Sequence, residues 1–313
     1  MSNQYKQAIS QLSGQALELL HTLPESEAEK VREVHLRAGK PIHLLSENGH
    51  LFLGRNGQIF RSFHPDLPAL SQRTLEDCFL SLCDYSIHTH MQDIVQGFVT
   101  LQGGHRAGIA GNCVTEQGKV VGMRDVSSIC LRIARDFPGC TKKLTEIVEK
   151  THGGLLIAGI PGSGKTTLLR DLARSLSDGS SGKYHTVAIV DERGEIAASY
   201  NGQPQLNVGI CCDILTGYSK RTGIEIAVRT LAPEFVFCDE LGGAEDTEAF
   251  RQSICRGVRI IATVHARNYR ELITRAGMPE LLDTGAFSGI VFLGSNHIPG
   301  QITEYVSLKE DDT

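Results

Sequence analysis

The chain has 313 residues, of which 41% are hydrophobic, so it is long enough for two domains that each bury a core. Its 36 acidic and 31 basic residues give a net charge of −5, which excludes a global positive field that attracts nucleic acid or anionic lipid. Nine cysteines without a C-x-x-C pair favour reduced thiols in a cytoplasm over a disulfide framework or a zinc site.

Residues 1–137 are predicted to form an α+β domain. Helical periodicity from residue 9 to residue 20 stops at Pro24, and a second helix is predicted over residues 74–83 with Thr74 as its cap. Alternating apolar residues predict a set of strands, followed by a linker at residues 136–140. The predicted strands cover residues 31–36, 42–45, 97–102, 105–110, 113–115, 119–121 and 128–134.

Residues 138–313 alternate apolar strands with helical segments. This alternation predicts an α/β domain with a mainly parallel sheet covered by helices on both faces. In such a sheet, ligands bind outside the carboxyl ends of the strands. The predicted strands cover residues 154–158, 187–190, 235–238, 258–264, 289–293 and 302–308.

A phosphate loop, G-x-x-x-x-G-K-[ST], lies between the first of these strands and a helix. Backbone N–H groups of such a loop surround a phosphate at a helix N-terminus, where the peptide dipoles favour anions. Lys165 is predicted to neutralise the β and γ oxygens of ATP, and the Thr166 hydroxyl to bind Mg²⁺. The predicted nucleotide-binding residues are Gly159, Ile160, Pro161, Gly162, Ser163, Gly164, Lys165, Thr166 and Thr167.

Polar residues follow three other predicted strands. Asp239 is predicted to hold Mg²⁺ through its water shell, and Glu240 to polarise the attacking water. Glu192 and Glu195 are predicted to orient water or the metal shell, although an acidic cluster at a helix N-terminus also suits the helix dipole. His265 is suited to sensing the γ-phosphate by hydrogen bonding.

The order and spacing of these motifs resemble the secretion ATPases of type II and type IV systems and of twitching pili. Within that group, three N-terminal stretches and nearly the whole chain are similar to the stage III sporulation protein AA family. The resemblance implies a RecA-like P-loop NTPase domain that follows a smaller α+β domain. The stretches are residues 33–39, 96–106 and 127–135, and the box matched near the last motif is Ala262–Ala266.

The resemblance further implies a hexameric ATPase that uses ATP and Mg²⁺ and energises a channel complex of membrane proteins during sporulation. It also implies a cytoplasmic location, peripheral to the forespore membrane on its mother-cell side. No nucleic-acid partner is expected, because the net charge is negative and aromatic residues are few. N-terminal arginines contact the nucleotide in such rings, and Arg132 and Arg135 are the matching positions, with Arg124 and Arg229 as further candidates. A guanidinium can neutralise the charge that develops during phosphoryl transfer.

Two other functions stay open at this point. A RecA-like nucleic-acid motor shares the two nucleotide motifs, but 6% aromatic content and the lack of tryptophan provide few stacking platforms for single strands. A nucleotide-gated scaffold with little turnover also fits the motifs. Single-stranded DNA binding distinguishes the first, and the turnover of a Glu240→Gln variant distinguishes the second.

Overall fold

The structure, a computed structural model, describes residues 2–241, 250, 257–294 and 299–308. The chain divides into two compact units. One contains Met1–Arg135 with Tyr200–Gln205, and the other contains Asp136–Ser199 with Leu206–Thr313. That the chain forms two independent domains, divided after residue 137, stays a prediction. In the described residues, no helix is both long enough and apolar enough for a membrane crossing.

The N-terminal unit is built around an antiparallel sheet of seven strands in the order β4-β3-β2-β1-β7-β6-β5. The strands are β1 (Val31–Arg37), β2 (His43–Ser46), β3 (Gly49–Leu53), β4 (Ile59–Phe60), β5 (Phe98–Thr100), β6 (Arg106–Glu116) and β7 (Lys119–Arg132). The helices are α1 (Ser2–Ile9), α2 (Gly14–His21), α3 (Glu25–Ala28), α4 (Gln72–Leu82) and α5 (Met91–Val95).

One face of this sheet forms a core with the helices. Side chains alternate along a strand, so Val34 and Leu36 of β1 are fully buried while His35 between them points to the opposite face. Leu20 of α2 and Leu75 of α4 belong to the same core. This alternation leaves polar side chains of β1 on the outer face of the sheet.

Three predictions for this unit were wrong in detail. The single helix predicted up to Pro24 is two helices, α1 and α2, separated near residues 10–13. Helix α4 begins at Gln72, because the Ser71 hydroxyl accepts a hydrogen bond from the Thr74 amide; Ser71 is therefore the cap. The separate strands predicted near residues 119 and 128 are one strand, β7.

The C-terminal unit has a seven-stranded sheet in the order β10-β9-β11-β12-β8-β13-β14, parallel except for β14. The strands are β8 (Gly154–Ala158), β9 (Val187–Asp191), β10 (Cys212–Thr216), β11 (Phe235–Cys238), β12 (Arg259–Val264), β13 (Phe287–Leu293) and β14 (Ile302–Ser307). The helices are α6 (Lys142–Lys150), α7 (Lys165–Ser177), α8 (Lys220–Thr230), α9 (Tyr269–Ile273) and α10 (Met278–Leu282).

Alternate residues of the inner strands enter two separate cores. Phe235 and Phe237 face the layer that contains α7, whereas Val236 and Cys238 face the layer that contains α8. The central strands are buried on both faces, as expected of a parallel sheet covered by helices. The predicted α/β arrangement is therefore present, and it gathers the carboxyl ends of β8, β9, β11 and β12 at one edge.

Candidate active site

The phosphate loop connects β8 to α7 through a backbone that only glycine accommodates at two positions. Gly162 and Gly164 have φ angles of 75° and 92°, in the left-handed region that residues with a Cβ rarely adopt. A Cβ on Gly164 would also lie 2.7 Å from the amide nitrogen of Gly300, which donates a hydrogen bond to the Ser163 carbonyl. A turn at Pro299–Gly300, which the sequence motifs did not indicate, therefore braces this loop.

Lys165 is the first residue of α7, and its ammonium group is satisfied by groups of the protein. Its Nζ donates to the carbonyls of Gly159 and Ile160, each at 3.0 Å, and contacts His265 Nδ1 at 3.1 Å. The side chain is buried, and burial lowers its pKa, although Asp239 and Glu240 oppose that shift. The lysine thus lies inside the loop that it is predicted to serve.

Asp239 follows β11 and lies beside the helix that begins at the loop. Its Oδ2 accepts a hydrogen bond of 2.5 Å from the Thr166 hydroxyl, and its Oδ1 accepts one from the Thr263 hydroxyl. Thr263 is fully buried in β12 and also accepts from the Glu240 amide at 2.8 Å. The structure therefore brings together the two residues that were predicted to serve the metal ion, Thr166 and Asp239.

Each carboxylate oxygen of Glu240 contacts a different side chain, the imidazole of His265 or the guanidinium of Arg193. Its Oε1 is 3.1 Å from His265 Nε2, and its Oε2 pairs with the guanidinium of Arg193. Because the Lys165 ammonium can only donate, His265 Nδ1 must accept, and Nε2 carries the proton that it shares with Glu240. Burial alone raises the pKa of Glu240, but the His265 hydrogen bond and the Arg193 charge outweigh it and lower the pKa overall.

The acidic segment after β9 reaches the same edge of the sheet. Glu192 pairs with Lys220 at 2.5 Å, and both line a small cavity with Glu195, Asp239 and Glu240. The two predicted carboxylates therefore lie near the predicted metal and base residues.

Buried Asp191 shapes this segment. Its carboxylate accepts hydrogen bonds from the amides of Glu195, Ile196 and Ala197, at 2.8 to 3.2 Å. Arg170 of α7 donates to the carbonyls of Glu195 and Ile196 from the other side. Sequence reasoning assigned no role to Arg170, Arg193 or Lys220, since their partners are distant in the chain. Asp191 received no role either, although its partners are four to six residues away.

Of the four candidate arginines, Arg124, Arg132 and Arg135 lie in the N-terminal unit, whereas Arg229 lies in α8 of the C-terminal unit. Arg132 is exposed, and its Nε is 3.5 Å from Glu33 Oε1. Arg135 is held more firmly, since it pairs with Glu47 at 3.0 Å and donates to the backbone carbonyls of Glu29 and Val31. Their predicted role toward the nucleotide stays a prediction.

The loop and its neighbours fit a magnesium nucleotide. The hydroxyl of Ser163, inside the loop, is buried and has no hydrogen-bond partner in the described ranges of the chain. Hydroxyl and carboxylate oxygens at Thr166 and Asp239 are the donors that Mg²⁺ prefers.

A family model described as "Sporulation stage III, protein AA" matches residues 3–310 of the chain. The chain belongs to this family. Stage III sporulation protein AA of Bacillus subtilis (strain 168) is 33% identical over 290 residues, which are 91% of this chain and 89% of that protein. The resemblance to the sporulation stage III protein AA family is therefore confirmed.

Two solved structures are similar to this member of the sporulation stage III protein AA family. The ATPase DotB of Yersinia pseudotuberculosis has a TM-score of 0.57 at 17% identity and covers 90% of this chain and 76% of its own. The pilus retraction motor PilT, in a structure with bound ADP, has a TM-score of 0.55 at 18% identity, with coverages of 84% and 74%. The predicted fold, a RecA-like P-loop NTPase domain after a smaller α+β domain, is confirmed by these structures.

Proposed function

We propose that the chain is a Mg²⁺-dependent ATPase of the secretion type, which energises a membrane channel complex during sporulation. The observation that carries this proposal is the contact chain Lys165–His265–Glu240 beside the Thr166–Asp239 pair. It links the loop that binds phosphate to the carboxylate that acts on water. A fold shared with two ATPases and membership of a sporulation family support the same function.

The loop amides and Lys165 would bind the β and γ phosphate oxygens, so Lys165 exchanges its carbonyl partners for the substrate. Thr166 and Asp239 would hold Mg²⁺, which neutralises phosphate charge when bound. Glu240 would accept a proton from the attacking water, since its lowered pKa keeps it ionised at neutral pH. His265 fixes the orientation of that carboxylate through Nε2.

Hydrolysis by the intact chain tests this proposal together with two variants. Lys165→Ala is expected to lose ATP binding, measured by calorimetry with magnesium, whereas Lys143→Ala, at an exposed position of α6, keeps it. Glu240→Gln is expected to bind ATP but to lose turnover by about a hundredfold or more. The matched control is Glu225→Gln, which alters an exposed carboxylate of α8 that pairs with Arg221.

These measurements also distinguish the alternatives. A scaffold that only binds nucleotide would show the same slow turnover in the intact chain and in Glu240→Gln. A nucleic-acid motor would bind single-stranded DNA strongly in a salt-dependent gel shift. Turnover that depends on Glu240 without such binding supports the secretion ATPase.

We also propose a hexameric ring at the mother-cell face of the forespore membrane, with membrane proteins of the channel complex as partners. Family membership supports this assembly. In the ring, Arg132 or Arg135 would neutralise charge on the nucleotide, and exposed Arg132 has the weaker contact to release. Native mass spectrometry with ATP tests the ring, and copurification from sporulating cells tests the partners. Monomers at all ATP concentrations would contradict the ring.

A further inference from the structure

Three potential metal ligands meet on the outer face of the N-terminal sheet. Glu33 and His35 are two residues apart on β1, and Cys130 of β7 pairs with His35 across the ladder. Glu33 Oε2 is 3.0 Å from His35 Nε2 and 3.7 Å from Cys130 Sγ, and the sulfur is 3.9 Å from Nε2. All three residues are half-buried.

We propose that Glu33, His35 and Cys130 bind one Zn²⁺ ion, with the fourth coordination position open to water. Bond lengths to tetrahedral zinc imply ligand separations of about 3.3 to 3.6 Å for an oxygen, a nitrogen and a sulfur donor. The observed separations differ from these by a few tenths of an ångström, which side-chain rotation supplies. A carboxylate and a thiolate also neutralise the charge of the ion.

Neighbouring groups prepare two of the ligands. Arg132 lies 3.5 Å from the other carboxylate oxygen of Glu33, Oε1, and so leaves Oε2 directed at His35 and Cys130. Glu33 Oε2 in turn lies 3.0 Å from His35 Nε2 and so orients the imidazole toward the same point. Outer contacts of this kind fix the orientation of metal ligands.

Metal binding requires Cys130 to lose its thiol proton and His35 to carry its proton on the other ring nitrogen. Zn²⁺ binds the thiolate form of cysteine, so its binding displaces the Cys130 thiol proton to solvent. Arg37 Nη2 lies 3.3 Å from His35 Nδ1, the nitrogen that carries the proton once Nε2 binds the metal. Arg37 is exposed and has to rotate away, so it opposes metal binding.

A second observation comes from the adjacent strand. His43 of β2 lies beside His35, with ring centroids 4.9 Å apart, and its Nε2 contacts His50 at 2.9 Å. Its Nδ1 is buried and has no hydrogen-bond partner in the described part of the chain. The face therefore places further imidazoles next to the three ligands.

Cobalt(II) substitution tests the site, since a thiolate ligand gives a charge-transfer absorption that oxygen ligands at the nucleotide site do not give. The full chain, reduced and stripped of metal by a chelator, is titrated with Co²⁺. We expect one equivalent to produce this absorption and Zn²⁺ to abolish it, because Zn²⁺ binds such ligands more tightly.

Variants assign the ligands. Cys130→Ser is expected to lose the absorption, and His35→Ala to weaken Co²⁺ binding at least about tenfold. Cys113→Ser makes the same change at an exposed cysteine of β6 and should retain it. Arg37→Ala should tighten binding, since the His35 Nδ1 proton no longer faces a guanidinium.

Any of three results would overturn the site. The first is an intact protein without the absorption. The second is a Cys130→Ser variant that keeps it, which would assign the metal to another thiol. The third is an Arg37→Ala variant that binds Co²⁺ no more tightly than the intact chain; this variant keeps all three ligands and so tests the geometry even if Cys130→Ser fails to fold.

Discussion

Replacing Gly164 with alanine tests whether ATP turnover depends on the observed backbone conformation of the phosphate loop. The substitution forces a Cβ onto a backbone with φ of 92°, which costs about 1 to 3 kcal/mol. The new atom would also lie 2.7 Å from the Gly300 amide nitrogen, so the loop or the turn has to move by several tenths of an ångström. A misplacement approaching 1 Å at a reacting group costs about a hundredfold in rate, and we expect ATP turnover to fall by about that factor.

Gly182→Ala is the matched control. Its φ is also 92°, but a Cβ there has no heavy atom within 4 Å. It should therefore lose a similar amount of stability in urea unfolding while its turnover and ATP affinity stay unchanged. Normal turnover in Gly164→Ala, or an equal loss in Gly182→Ala, would refute the argument that the close approach of the turn positions the loop.

Three further predictions concern the C-terminal unit. Asp171→Asn breaks a carboxylate network with Arg174 and should lower the unfolding free energy by about 3 kcal/mol. Hydrogen bonds and charge lower the pKa of Asp171 despite burial. The loss of unfolding free energy in Asp171→Asn should therefore be complete above about pH 3.9 and vanish in stronger acid. Urea unfolding of both proteins at several pH values measures it. Arg193→Ala should raise the pKa of Glu240 and move the acid limb of the pH–rate profile to higher pH; an unmoved limb would argue against the pairing. His185→Ala removes a buried imidazole that contacts the partly exposed carboxylates of Glu149 and Glu234, and it should lower the unfolding free energy by about 1 to 3 kcal/mol in urea unfolding; an unchanged value would contradict this.

Much of the C-terminal sheet was predictable because its inner strands are short apolar runs bounded by glycine or acid. Strands β8, β11 and β12 are buried on both faces, so nearly every position carries the signal. The edge strand β10 was missed, because its residues are half-buried or exposed, without a fully buried one, and resemble a loop. It pairs with the neighbouring strand β9, and the sequence alone does not reveal this pairing.

The same distinction holds at the site. Residues 159–166 follow a local pattern, and Asp239 and Glu240 directly follow an apolar strand. The Arg193–Glu240 pair joins residues 47 apart, and the Ser163–Gly300 hydrogen bond joins residues still further apart. Likewise, the absence of C-x-x-C gave no hint of Cys130 beside His35, since 95 residues separate them. Contacts set by tertiary packing carry no local signature.

The position of Lys165 has a consequence for how tightly nucleotide binds. Its ammonium already has three hydrogen-bond acceptors. A triphosphate that binds there therefore replaces existing hydrogen bonds instead of adding bonds to an unpaired cation. The affinity for nucleotide then depends on the difference in free energy between two arrangements of the Lys165 side chain, in each of which its ammonium is hydrogen-bonded. In the proposed ATPase, a site that releases its product returns to a state in which the buried ammonium is already hydrogen-bonded, which favours repeated cycles over permanent occupancy.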